Sequence, residues 1–224
     1  MRYLSAEDHK IVSDAVAKAE MGTSGEIVTV LADRSDGYSD IQLAWAALAS
    51  FLALGVFALF TDFYLAKIDW LTGGWNSDWP PQSLLFLALA LVTLKFAGVW
   101  LLLLIDPVRF LLVPGRLKSR RVRLRAISHF KVGAERRTHG RTGVLLYLSM
   151  REHRAEIVAD EAIAGKVEPE VWGEAMADML SHVRDGKVAE GLAAGVRDVG
   201  AVLAEFFPRD GDDHNELPDR LIEV

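Results

Sequence analysis

The sequence contains no cysteine among its 224 residues, and this absence excludes several kinds of chemistry. Without cysteine the chain has no disulfide, no thiolate ligand for a metal ion and no cysteine nucleophile. The absence says little about the compartment, because many periplasmic and cytoplasmic proteins also lack cysteine.

Other familiar signatures are also missing. The sequence has neither a glycine-rich phosphate loop nor a dinucleotide-binding fingerprint, and no helix pairs two histidines at the spacing of a zinc site. The first ten residues, MRYLSAEDHK, contain no apolar segment, so a cleaved secretory signal peptide is not expected.

Long apolar runs are what the sequence has instead. Residues 41–61 contain no charge, and residues 83–105 contain only Lys95. About 20 apolar residues are enough for a helix to cross a bilayer. The sequence therefore predicts a two-helix transmembrane hairpin within residues 41–113. Two buried core helices are the alternative, but core helices rarely stay apolar on every face for this length.

The residues that flank the hairpin predict its orientation. The connector, residues 67–82, carries Trp70, Trp75 and Trp79, and tryptophan favours the membrane–water interface. Seven basic residues and no acid follow the second span; they are Arg109, Arg116, Lys118, Arg120, Arg121, Arg123 and Arg125. Positive flanks stay in the cytoplasm, so we expect an inner (plasma) membrane protein with two spans and both termini cytoplasmic.

The same basic cluster predicts a partner. Its place directly after a span favours contact with anionic lipid headgroups, chiefly through Arg120, Arg121 and Arg123. A nucleic-acid patch is the alternative reading, and nucleic acid is not the expected partner.

Lys95 lies inside the second apolar run, where burying its charge costs about 3 kcal/mol. One interpretation is a tilted helix whose amine reaches toward one membrane surface. The other is a contact with a second copy or with another membrane protein. Ion or proton transport is not expected from two spans and one charge.

The remaining sequence predicts one α/β domain. Its elements follow the order helix, strand (26–31), hairpin, helix, strand (142–149), return strand and two helices. The piece before the hairpin, about 40 residues, is too short to bury a core alone. We therefore expect strand 26–31 to pair with strand 142–149. The fold class is α/β, a mixed sheet flanked by helices, built from residues 1–40 and 114–208. The acidic residues 209–224 are predicted to form a disordered tail.

Several short motifs in this order resemble the TPM domain family. They are SGEIV at 24–28, RTGVLL at 141–146, RAEIVADEAI at 154–163, and the helix start at Gly186 to Leu192. The resemblance implies a sheet with helices on both sides. It also implies divalent-cation binding through acidic loops in some members, acid phosphatase activity in a plant member, and roles in assembling or maintaining membrane protein complexes in others. The chain departs from the family in its insertion after the first strand and in the predicted cytoplasmic location.

Carboxylates at strand ends are the candidate metal ligands. Asp33 and Asp36 follow the first strand, and Asp160 and Glu161 follow the return strand. Ca²⁺ and Mg²⁺ prefer such oxygen ligands, so side-by-side strand ends would let these carboxylates share one ion. The alternative is ordinary use in turns and helix starts.

Two functions are consistent with these features. The first is a membrane-anchored factor that assembles or maintains a membrane protein complex. The alternative is a phosphatase-like hydrolase that depends on a divalent metal and activates water through it, since no phosphatase nucleophile signature is present. The sequence alone does not decide whether the chain is an enzyme.

Overall fold

The computed structural model of the chain describes residues 3–73, 79–133, 142–209 and 220–224. The backbone packs as two compact units. The sheet unit consists of Met1–Asp36 and Gly115–Val224, and the apolar unit is Gly37–Pro114.

A four-stranded sheet forms the centre of the sheet unit, with strand order β3-β2-β1-β4. The strands are β1 (Glu26–Ala32), β2 (Gly143–Ser149), β3 (Arg154–Ala159) and β4 (Leu221–Glu223). β1 pairs with β2 in parallel, from Glu26 opposite Gly143 to Ala32 opposite Ser149. β3 runs antiparallel to β2, and β4 runs parallel to β1. The predicted pairing of the first strand with residues 142–149 is confirmed.

Helices of the sheet unit begin where local sequence signals place them. They are α1 (Ala6–Glu20), α6 (Gly115–Gly133), α7 (Glu161–Ala164), α8 (Pro169–Arg184) and α9 (Val188–Phe206). Ser5 and Asp8 form a reciprocal capping box at the start of α1, which satisfies two amide donors that the first turn leaves unpaired. Pro169 opens α8 at a position where its missing N–H costs nothing.

Helices cover both faces of the sheet. Alternate residues of β1 and β2, including Ile27 and Leu146, form one core with α1, α8 and α9. The residues between them, including Val30 and Leu145, form a second core with α6. Every residue of β2 is buried, which agrees with its continuous apolar sequence. The predicted fold class, a mixed sheet flanked by helices, is confirmed.

The apolar unit contains α2 (Ser39–Leu59), α3 (Thr61–Thr72), α4 (Pro81–Leu102) and α5 (Asp106–Leu112). α2 packs against α4, and Gln42 of α2 donates to the carbonyl oxygen of Leu103 at 2.7 Å. Both helices are long enough and apolar enough to cross a membrane, and no part of the most apolar stretch of α4 is buried within the chain. The predicted connector is partly helical, because α3 extends into it.

The prediction of a disordered tail over 209–224 is wrong for its last residues. Leu221–Glu223 form β4 at the edge of the sheet, and Leu221 is buried in the first core. The acidic composition of the tail concealed this strand, because three residues are too few to show an alternating pattern.

Candidate functional site

A polar cleft of about 820 Å³ opens in the sheet unit at the carboxyl end of β1. Its volume lies in the range of small-molecule and peptide pockets. The lining combines the start of α1, the end of β1 and the end of β4; the residues are Tyr3, Leu4, Ala6, His9, Leu31, Asp33, Arg151, Glu223 and Val224.

Asp33 is the central charge of one wall. The Tyr3 hydroxyl donates to Asp33 Oδ1, and the Arg151 Nε donates to the same oxygen at 3.1 Å. The hydrogen bond from Tyr3, followed by the Arg151 guanidinium, lowers the pKa of the Asp33 carboxyl, although partial burial opposes the shift. The same hydrogen bond raises the pKa of the Tyr3 hydroxyl. Asp33 therefore stays ionised and holds two donors at the rim.

Glu223 forms the opposite wall, next to the first turn of α1. Its Oε1 accepts the Leu4 amide at 3.2 Å and lies 3.0 Å from the His9 Nε2. A carboxylate at a helix start is favoured by the partial positive charge of the unpaired amides. In each of these two carboxylates, one oxygen is thus already held by two partners.

A mostly buried cluster of polar side chains secures the chain where it leaves β1. Ser35 Oγ is 3.1 Å from both the Tyr147 hydroxyl and the Ser149 hydroxyl. Glu152, 1% exposed, accepts the Ser149 hydroxyl and the Ser35 amide. Because Glu152 is shielded from solvent, this cluster has the features of a structural hydrogen-bond network and not those of an active site.

His129 of α6 packs against this cluster. Its ring centroid lies 5.7 Å from that of Tyr147, and its Nε2 is buried without a hydrogen-bond partner among the described residues. Burial, with a smaller contribution from Arg125, lowers the pKa of the His129 imidazole.

The four predicted metal ligands lie at two different edges of the sheet. Asp33 and Asp36 follow β1 at the edge where β1 and β2 end, and Asp36 pairs with Arg121 at 2.7 Å. Because β3 runs antiparallel to β2, Asp160 lies beside Gly143, at the edge where β2 begins. Seven strand residues, or roughly 20 Å, separate these edges. The two pairs therefore cannot share one ion.

Neither pair suits a hard divalent cation by itself. Asp160, 5% exposed, accepts the Gly143 amide at 3.0 Å, and Glu161 is exposed on the first turn of α7. The part of the chain that the structure describes holds no group of three or more His, Asp or Glu side chains placed for a metal. Asp160 serves the alternative role, at a turn and helix start.

The predicted lipid and partner contacts are spread over both units. In the sheet unit Arg120 is exposed, Arg123 is exposed with Glu156 at 3.5 Å, and the side chain of Arg121 is 18% exposed. In the apolar unit Trp70 is exposed on α3, and the Trp79 indole donates to Asp69 at 3.2 Å. Lys95 is exposed on α4. Trp75 lies outside the described residues.

Comparison with known proteins fits this geometry. Residues 114–202 match the family model of the TPM domain. This part of the chain is therefore similar to the TPM domain. The fold also resembles the NMR structure of the BA42 protein from the psychrophilic bacterium Bizionia argentinensis, with a TM-score of 0.57 and 19% identity over 100% of this chain and 97% of that one. At this identity the likeness concerns the fold alone. No curated protein matches the chain.

Sequence reasoning missed most of the residues around the cleft. Tyr3 and Arg151 meet Asp33 across 30 and 118 residues of chain, and Glu223 reaches His9 across 214. No local sequence pattern predicts contacts between residues that far apart in the chain. One available signal was Arg151 and Glu152 directly after a buried strand, where polar residues gather at a sheet edge. The cleft offers paired hydrogen-bonding groups, among them the Tyr3 hydroxyl on Asp33.

Proposed function

We propose that this TPM-domain protein is a membrane-anchored factor that assembles or maintains a membrane protein complex. Lys95 is the observation that carries the proposal. Its amine is exposed on α4, in a helix otherwise apolar enough to cross a bilayer, and no ion pair or hydrogen bond joins it to another described residue.

The position of Lys95 makes an external partner the better explanation. It lies seven positions before Leu102, the nearer end of α4, which is a rise of about 10 Å. An amine that far inside a span must stretch to the surface or find a polar partner, because an unpaired charge in hydrocarbon is costly. A carboxylate or backbone carbonyl on the span of another protein would supply that partner.

The basic residues of α6 support the proposed orientation. Arg120 and Arg123 are exposed on this helix, whereas Arg121 faces Asp36. Two exposed guanidinium groups in a segment rich in basic residues suit an anionic membrane surface, at about 1 kcal/mol for each. In the proposed arrangement the TPM domain faces the cytoplasm and α3 faces outward, in the inner membrane.

The experiment compares two lysine variants in native membranes. Lys95→Leu removes the proposed contact, and Lys67→Leu on the exposed surface of α3 is the matched control. We expect a photo-crosslinker at position 94, which is 72% exposed, to capture a protein in the wild type and in Lys67→Leu but not in Lys95→Leu. Adducts with lipid alone in all three proteins, together with a monomer in mild detergent, would contradict the proposal.

The hydrolase alternative depends on the four predicted carboxylates meeting at one metal ion, whereas Asp33 and Asp36 lie at the opposite edge of the sheet from Asp160 and Glu161.

A further inference from the structure

The edge of β1 is covered by a very short strand. β4 contains three residues, and typical strands contain five or six. Its pairing places Thr29 opposite Leu221 and Leu31 opposite Glu223. Two further hydrogen bonds extend the ladder: the Val224 amide donates to Leu31 and the Asp33 amide donates to Val224, both at 2.9 Å. This edge strand thus depends on four consecutive residues.

Side-chain contacts of this segment alternate between two kinds of site. Leu221, 5% exposed, enters the core that includes Val12 and Val16 of α1. Two residues later, Glu223 lies against the Leu4 amide and the His9 ring. One apolar pocket and one acid-binding site, two residues apart on the same face, form a recognition pattern for an extended chain.

The edge of β1 that residues 221–224 cover, called the groove below, has defined ends. At one end the Ile27 amide, the next donor along the β1 edge, is taken by Glu20 Oε1 at 2.7 Å. At the other end the cleft of about 820 Å³ opens beside Val224. A longer segment that entered in the same register would continue into this cleft, toward Asp33 and Arg151.

We propose that the β1 edge is a strand-addition site for an extended partner segment, and that residues 221–224 of this chain occupy it in the absence of that partner. The segment recognised carries a large aliphatic residue followed two positions later by a carboxylate. Its backbone pairs in parallel with Thr29 to Asp33. This site concerns the sheet unit only, so it stands or falls independently of Lys95 and the membrane.

The chain's own segment competes with any partner. A segment tethered nearby acts at an effective concentration in the millimolar range, so free peptide binds the wild type weakly. Disabling the tethered segment should therefore expose the groove. A gain in peptide affinity when the chain's own segment is disabled would show that β4 is exchangeable, and no gain would show that it is a permanent strand.

The test measures fluorescence anisotropy of a labelled peptide, Arg-Leu-Ile-Glu-Val, with the full chain in mild detergent. Leu221→Asp in the protein prevents its own segment from entering the pocket, and we expect it to bind the peptide at least tenfold more tightly than the wild type. Replacing the peptide's leucine by aspartate, or its glutamate by glutamine, should weaken binding to this variant at least tenfold.

A second form of the protein protects the test against misfolding of Leu221→Asp. A protease site introduced within residues 210–219 allows the segment to be released after folding, and the cleaved protein should show the same gain in affinity. Equal peptide binding by intact and cleaved protein would overturn the proposal. A wild type that is a dimer and becomes a monomer after cleavage would overturn it too, because the groove would then belong to a second copy.

Discussion

Asp160 joins two elements of the sheet unit through main-chain groups. Its Oδ2 accepts the Gly143 amide at 3.0 Å, and its own amide donates to the Gly143 carbonyl at 2.9 Å. These two hydrogen bonds hold the start of β2 and the end of β3 together. A carboxylate that accepts a buried amide contributes more than a neutral acceptor would.

Asp160→Ala should destabilise the sheet unit by about 1–3 kcal/mol, because it leaves the Gly143 amide buried without an acceptor. The matched change Glu161→Ala, at an exposed neighbour, should alter stability by no more than about 0.5 kcal/mol. Urea unfolding in mild detergent measures both. A difference between the variants that appears only with Ca²⁺ and vanishes in chelator would instead make Asp160 a metal ligand.

His129 predicts a pH dependence of stability. Its pKa in the folded chain lies below the value of about 6.5 for an unfolded chain, since burial disfavours the charged ring. On acidification the unfolded chain therefore binds this proton first. The contribution to stability is complete above about pH 6.5 and is lost as the pH falls toward the lowered pKa.

Replacing His129 by glutamine should remove that part of the decline. We expect the urea midpoint of the wild type to fall between pH 7.5 and pH 5.5 by more than the midpoint of His129→Gln. His182→Gln, on the exposed surface of α8, controls for the loss of a histidine at pH 7.5. Parallel declines in wild type and His129→Gln would show that the ring does not titrate in this window.

Single residues also show how far sequence reasoning reached. Asp33 and Asp36 were identified at a strand end, since turn-forming acids after an apolar run mark such ends. The role of Asp33 depends on Tyr3 and Arg151, which lie 30 and 118 residues away. Partners at that separation are set by tertiary packing, and the separation of the two acidic pairs depended on the antiparallel direction of β3.

At the scale of elements, α9 is the helix that packs most closely. Ten of its residues are buried, from Ala189 to Leu203. A Cβ built on Gly200 would lie 2.6 Å from the Ala19 Cβ of α1, and one on Gly191 would lie 2.8 Å from the Met179 carbonyl oxygen of α8. Because these two glycines have no Cβ, α1 and α8 can pack directly against the backbone of α9.

Gly200→Ala should therefore destabilise the sheet unit by about 1–3 kcal/mol through overpacking against Ala19. Gly173→Ala is the matched control, since a Cβ there meets nothing within 4 Å on α8. In that open position alanine should stabilise the helix by up to about 1 kcal/mol. Thermal unfolding of both variants tests the prediction, and destabilisation of similar size in both would show that α1 does not constrain α9.

Elements differ in how visible they are in the sequence. β1 and β2 were predicted to pair because neither flanking piece could bury a core alone, and α8 and α9 show a clear helical period. β4 and α3 were missed. The strand is too short for a pattern, and α3 (Thr61–Thr72) follows the first apolar run and overlaps the predicted connector, residues 67–82, only in its second half.

For the molecule as a whole, the proposed membrane orientation can be tested because the chain has no cysteine. Thr72→Cys places a thiol at the end of α3, and Glu170→Cys places one on α8; both positions are exposed. In intact cells a membrane-impermeant maleimide should label Thr72→Cys and leave Glu170→Cys unlabelled until the cells are opened. The reverse pattern would place the sheet unit outside the cytoplasm.

The parallel pairing of β1 with β2 also has a consequence for synthesis. Glu26 and Gly143 stand opposite each other although they are 117 positions apart in the chain, and the whole apolar unit is made in that interval. At about 5–20 residues per second a ribosome needs roughly 6–23 s to supply the partner strand. During that time β1 waits as an unpaired apolar strand at the ribosome. A cell that makes this protein must therefore shield the first strand, by a chaperone or by the nascent helix α1, until translation reaches β2.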